Sequence, residues 1–249
     1  MTSPPTADER VVVVGDAHLG SADARDEAAF HEFLEAVPQL GTRLLIMGDL
    51  FDFWFEYLHV IPRRPFKTLA EIAILRDKGM VIEMFGGNHD RWGGSFWTRD
   101  LGVPFYSDGS AMTLAGRRAW VHHGDGLSEH SLGGRLLHRL TRSPFMQGLF
   151  RALHPDFSFK LVGRLSGSLR DTTPDYLNGA AEAQERYARD VLAKRPELQL
   201  VVLAHTHRQR LVEVQPGRFY LNAGQWMVDR HYAVVTAEKV RLLQWPARP

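Results

Sequence analysis

The sequence predicts an α/β layered sandwich with at least one sheet and two favoured, and three observations carry that expectation. Short apolar runs rich in Val, Ile or Leu recur along the 249 residues. Stretches of helical spacing separate the first three runs, and a set of strand-like segments closes the chain. Strand, helix, strand, helix, strand is the order of a mostly parallel sheet covered by helices.

In chain order, the buried-strand candidates are Val11–Val14, Leu44–Met47, Val81–Phe85, Ala119–Val121 and Leu198–Leu203. Each is short and ends at Gly or a polar cluster, which favours a strand over a helix. Asp23–Val37 and Pro65–Asp77 carry Ala, Leu, Ile, Phe and Glu at helical spacing, and Asp175–Lys194 reads as one long helix. Arg208–Val214, Arg218–Leu221, Tyr232–Thr236 and Val240–Leu243 read as antiparallel strands at the end. The alternation breaks between Leu127 and Asp171, where three helix-like pieces stand in succession: Leu132–Arg142, Pro144–Leu153 and Phe157–Leu169. An insertion of that size reads as a cap on one domain spanning residues 1–249, with the cap at about 127–171. It is greasy (Leu140, Phe145, Leu149, Phe150, Phe159) and basic (Arg139, Arg151, Lys160, Arg164). A helical subdomain packed on itself would explain it; so would an amphipathic cover for a ligand both apolar and anionic.

Composition narrows the chemistry. The chain has no Cys and twelve His, so disulfides, thiolate metal sites and a Cys nucleophile are excluded. Its formal charge of +1 gives no overall basic footprint, and no nucleic-acid partner is expected. The N-terminus lacks the basic start and long apolar run of a signal peptide, and no apolar stretch reaches eighteen residues. The expected compartment is the cytoplasm.

The residues just past each strand carry the function. The runs deliver Asp16-Ala17-His18, Asp49, Asn88-His89-Asp90, His122-His123-Gly124-Asp125 and His205-Thr206-His207. Ligands of open α/β sheets bind beyond the carboxyl ends of the strands, so these groups are candidates to converge. Singly they are weak, because a lone strand-end His is more often a hydrogen-bonding residue and Gly-Asp is a common turn. In order after five strands, they form a specific signal. Asp16, His18, Asp49, Asn88, His123, His205 and His207 are seven N/O donors, too many for one tetrahedral ion and suited to two divalent metals sharing a carboxylate. Mn²⁺ is the first choice, with Fe²⁺ or Zn²⁺ also compatible. Such a pair lowers the pKa of a bridging water and clamps a phosphoryl oxygen, which makes hydrolysis of a phosphoester or pyrophosphate the expected reaction. No P-loop is present.

This five-block series resembles the calcineurin-like metallophosphoesterase superfamily. The resemblance implies a four-layer α-β-β-α sandwich with a helical cap insertion. It also implies one metal on Asp16, His18, Asp49 and His207, and a second on Asp49, Asn88, His123 and His205. His89 would contact phosphate or protonate the leaving oxygen, oriented by Asp90. Gly48-Asp49-Leu50-Phe51-Asp52-Phe53-Trp54, His123-Gly124-Asp125-Gly126 and the helical insertion look more closely like the UDP-2,3-diacylglucosamine pyrophosphatase family of lipid A biosynthesis. That implies a lipid-linked sugar-nucleotide substrate cleaved to UMP and 2,3-diacylglucosamine 1-phosphate, acyl chains held by the cap, and peripheral contact with the cytoplasmic face of a membrane. Two positions depart from the pattern: His89 stands where the better-known branch has Arg, and Ala204 where Gly is usual. In the cap, Arg164, Ser168 and Arg170 are candidates for diphosphate or uridine contacts. The competing expectations are a general phosphodiesterase or nucleotidase acting on a soluble substrate, and a non-catalytic binding scaffold on the same fold. His122, one residue before a ligand candidate, is expected to point away from the site.

Overall fold

The structure, a computed structural model, describes residues 8–93, 95–127, 143–160 and 174–246. Its organisation starts from β1 (Val11–Val14), four consecutive valines all buried. Successive strand side chains alternate between faces, so an unbroken apolar run requires both faces of its sheet to be covered. Val12 and Val14 pack with Leu44 and Ile46 of β2 (Arg43–Ile46) and Ile82 and Met84 of β3 (Val81–Phe85). Over that face lie α1 (Ala24–Leu40), through Phe30, Phe33 and Leu34, and α2 (Phe66–Asp77), through Leu69 and Ile72. Val11 and Val13 turn the other way, with Leu45, Met47 and Phe85, onto Val121, Val202 and Leu221 of a second sheet. The outer face of that second sheet, Val201, Leu203 and Tyr220, is covered by Ala188 and Leu192 of a helix near the end of the chain. Three cores between four layers result, in the order helices, sheet, sheet, helix.

The first sheet runs β11 (Val240–Gln244), β10 (His231–Val235), β1, β2, β3, β4 (Phe105–Tyr106). The second runs β5 (Ser110–Leu114), β6 (Arg117–Val121), β7 (Leu200–Leu203), β9 (Arg218–Asn222), β8 (Arg210–Gln215). β1, β2, β3 and β4 are parallel, as are β6, β7 and β9, so the carboxyl ends that bear the motifs face one way within each sheet. Within the first sheet Arg43 pairs with buried Glu83, donating to it at 2.7 Å, and the same guanidinium crosses to the second sheet, donating to the Thr113 carbonyl of β5 at 2.8 Å.

Two features differ from the sequence expectation. The closing strands pair antiparallel with one another, β8 with β9 and β10 with β11, but β9 also joins β7 in parallel, a pairing the local pattern does not predict. A hairpin also stands where none was expected: β5 returns as β6 through Ala115-Gly116, both at positive φ, the conformation of a type I′ turn. Ala in place of the usual Asn or Asp hides that turn, and β5 is half exposed and weakly apolar. Of the cap pieces, Leu132–Arg142 and residues 161–169 lie outside the described residues, as do Arg164, Ser168 and Arg170. The middle piece forms α3 (Pro144–Ala152), and residues 155–160 are helical. The long helix near the end is α4 (Pro174–Lys194).

Candidate metal centre

Each motif sits in the turn that ends its strand, and the backbone there is unusual. Asp16, His18, Asp49, His205 and His207 all have φ between 45° and 72°. This left-handed region costs a non-glycine residue on the order of 1–2 kcal/mol. Strain of this kind concentrates where side chains must be aimed at a ligand. Neighbouring glycines make the approach possible. A Cβ on Gly87 would lie 2.1 Å from Asp49 Oδ1, and one on Gly48 would lie 2.7 Å from His123 Nδ1.

The strand ends bring the side chains together at the edge shared by both sheets. Ligand atoms of Asp16, His18 and His207 lie within 4.8 Å of one another, as do those of Asp49, His123 and His205, and those of His18, Asp49 and His89. Asp49 stands in the middle, its Oδ2 3.9 Å from His18 Nε2 and 3.3 Å from His123 Nε2. The imidazole nitrogens of His18 and His207 approach to 3.3 Å. His123 donates from Nδ1 to the Met47 carbonyl at 2.7 Å, which turns Nε2 toward Asp49. Fixing one ring nitrogen on a carbonyl is the common way of presenting the other to a metal. Asn88 is exposed in the β3 turn, between the N–H of Gly87 and that of His89, which donates to Asp49 Oδ1 at 2.8 Å.

The electrostatics are those of a crowded, dry cluster. Burial, reinforced by Asp49, pushes the Asp16 carboxyl up to about 8. Burial acts against charge on Asp49 too, but His123, His89 and His18 outweigh it and hold that carboxyl below its ordinary range. Burial opposes a charged His123, yet Asp49 beside it prevails and raises the imidazole to about 10. Burial, and then His123, lowers His205 to about 4. Asp16 Oδ1 and His123 Nε2 are buried with no hydrogen-bond partner among the described residues. Buried N and O atoms that converge on one point without satisfying hydrogen bonds fit divalent cations.

Around the cluster, further contacts hold the turns. Asp90 does not orient His89, contrary to what the resemblance implies. Its buried carboxylate accepts from the N–H groups of Asp49, Leu50 and Gly87 at 3.1, 2.7 and 2.8 Å, so it fixes the turn that carries Asp49. His89 is oriented by Asp52, whose carbonyl accepts from Nδ1 at 2.7 Å and whose carboxylate is 3.8 Å away. Its ring packs edge-on to His18 at 4.7 Å. Arg91 and Asp125 form a buried ion pair joining the β3 turn to the β6 turn. His122 faces away from the cluster, with Nδ1 accepting from the Gly124 N–H at 2.7 Å and Nε2 3.6 Å from Asp108. Trp54 and Trp97 are fully buried in the first core, while Trp92 packs on Phe55 and Phe150.

Among known proteins, UDP-2,3-diacylglucosamine hydrolase of Porphyromonas gingivalis is 30% identical over 246 residues, covering 90% of this chain and 93% of that protein. The protein of the same name from Escherichia coli K12 is 25% identical over 236 residues, covering 94% of this chain and 98% of its own. The solved structure of YfcE, a phosphoesterase from E. coli, is similar with a TM-score of 0.46 and 14% identity, covering 96% of this chain and 95% of that one. The model of the calcineurin-like phosphoesterases matches residues 9–209. That span takes in all five motif-bearing strand ends, from Asp16 to His207, and the chain belongs to the calcineurin-like phosphoesterase family.

Proposed function

We propose that this protein is a metal-dependent hydrolase that cleaves the pyrophosphate bond of UDP-2,3-diacylglucosamine to UMP and 2,3-diacylglucosamine 1-phosphate, within one domain capped at about 127–171. Asp16, His18, Asp49 and His207 would hold one divalent ion. Asp49, Asn88, His123 and His205 would hold the other, with Mn²⁺ as the preferred metal. Bound there, two such ions supply a water of lowered pKa and polarise a phosphoryl oxygen. His89 does the proton work. Its Nδ1 is committed as donor to the Asp52 carbonyl, which leaves Nε2 for the substrate. In the imidazolium form, Nε2–H donates to a phosphoryl oxygen and passes its proton to the departing phosphate oxygen.

The observation that carries the lipid-linked substrate is an apolar surface directly beside this hydrolytic centre. Phe150 of α3 packs on Phe55 and Trp92 with centroids 5.7 and 5.0 Å away, and Phe159 packs on Phe53 at 5.3 Å. Phe53 and Phe55 come a few residues after Asp49, and Trp92 soon after His89. Near these residues in sequence, Phe145 and Leu149 of α3, Phe157 and Leu58 are exposed to water. Exposed apolar patches of this kind mark lipid or partner contacts. No helix among the described residues is long and apolar enough to cross a membrane. This face would therefore meet the cytoplasmic surface of the membrane peripherally. Arg164, Ser168 and Arg170 remain the proposed diphosphate or uridine contacts.

Incubating the Mn²⁺-loaded protein with UDP-2,3-diacylglucosamine should yield UMP and the diacyl sugar phosphate in equal amounts by mass spectrometry. Turnover of simple phosphodiesters with no UMP released from the lipid would favour the soluble-substrate reading.

A further inference from the structure

Resting on the metal assignment above, we infer that Gln184 is a positioning residue for the second metal site, tying the His123 turn to the His205 turn. Gln184 lies on α4, across the second sheet from the first, and is fully buried. A buried amide in a helix covering an apolar sheet face is costly unless all its bonds are made. Here its Nε2 donates to the Gly124 carbonyl at 3.3 Å and the Ala204 carbonyl at 3.0 Å. Its Oε1 accepts from Thr206 Oγ1, Tyr220 OH and Asn222 Nδ2 at 3.4, 3.4 and 3.3 Å. The amide's orientation is dictated by these partners, because the two carbonyls can only accept.

The two carbonyls belong to the residue after His123 and the residue before His205. One side chain therefore sets the spacing of two imidazoles whose rings are 5.3 Å apart. An independent observation agrees. Gly124 has φ of 112°, and a Cβ there would lie 2.3 Å from Gln184 Nε2, so the turn is built to admit the amide. Asn222 completes the clamp, donating to the Ala204 carbonyl and Thr206 Oγ1 at 3.2 Å each. The carbonyls that Gln184 holds flank His123 and His205, both proposed for the second metal, whereas His207 is the one first-metal ligand on these turns, so the effect should fall on the second metal more than the first.

Mn²⁺ binding, followed by electron paramagnetic resonance on the whole chain, tests this. Wild-type protein should bind two ions and show the spectrum of an exchange-coupled pair. Gln184→Met, similar in length but unable to bond the carbonyls, should bind the second ion about 10–100-fold more weakly. At Mn²⁺ levels that saturate wild type it should show isolated, uncoupled Mn²⁺. Gln184→Glu keeps the shape and the acceptor but cannot donate to both carbonyls, and should behave alike. Leu192→Ala, in the same helix core, should lower the melting temperature yet keep the coupled pair. Should neither Gln184 variant fold, Tyr220→Phe removes one bond to Oε1 and should still weaken the second ion several-fold. Coupled pairs of wild-type affinity in every folded variant of Gln184 and Tyr220 would overturn the inference. A wild-type protein lacking the coupled pair would instead refute the dinuclear assignment itself.

Discussion

The two sheets hold their shares of the candidate metal centre by different means. The rim of the first sheet, which carries Asp49 and His89, is fastened by a charged anchor from within its own motif: Asp90 collects N–H groups from both the β2 and β3 turns. The rim of the second sheet, which carries His123, His205 and His207, is tied to the first by the Arg91–Asp125 ion pair, and its own turns are held to one another by neutral amides, Gln184 from a helix and Asn222 from β9. The difference arises from what each rim exposes. Asp90 meets backbone donors, which a carboxylate satisfies; Gln184 and Asn222 meet the Gly124 and Ala204 carbonyls, which only a donor can satisfy. The strained backbone of the ligand residues makes such anchors necessary on both sides.

Asp49 touches both rims, so its loss should erase the distinction. Asp49→Ala is expected to reduce hydrolysis by about 10³-fold or more, with metal analysis finding fewer than two ions per chain. Retained metal and activity would separate the rims from the chemistry. His89 hangs from the first rim without a predicted share in metal binding. His89→Ala should keep both ions and lose about 10²–10³-fold in rate at saturating substrate, and an unchanged rate would remove it from proton transfer. Asp90→Asn tests the anchor of the first rim, since it places an amide N–H₂ against N–H donors. A loss of about 1–3 kcal/mol in urea unfolding is expected, with a smaller fall in activity, about tenfold. Stability equal to wild type would show that the charge of the anchor is irrelevant.

The strand-end metal candidates are readable because valine runs, turn glycines and chemistry-bearing residues stand together in sequence. Asp16 and His18, or His205 and His207, need no knowledge of tertiary structure to be paired. The anchors are harder. Asp90 lies inside a visible motif, yet its neighbour His89 draws it into the wrong partnership, since nothing in the spacing says which way a buried carboxylate faces. Gln184 is invisible to such reading: one amide in a helix of alternating charge and alanine, sixty residues from Gly124. The fold is legible wherever both faces of a strand are buried. It is not legible at β5, whose half-exposed edge and Ala115-Gly116 turn lack the usual composition. The parallel pairing of β9 with β7 also escapes, because strand order depends on long-range pairing that local pattern does not encode.

The proposed arrangement encloses a pair of divalent ions between the two rims, with Asp49 between them. Anomalous diffraction from crystals grown with Mn²⁺ tests it most directly. Two peaks about 3.5–4 Å apart are expected, one beside Asp16, His18 and His207, the other beside Asn88, His123 and His205. A single peak, or ions seated away from Asp49, would contradict the account.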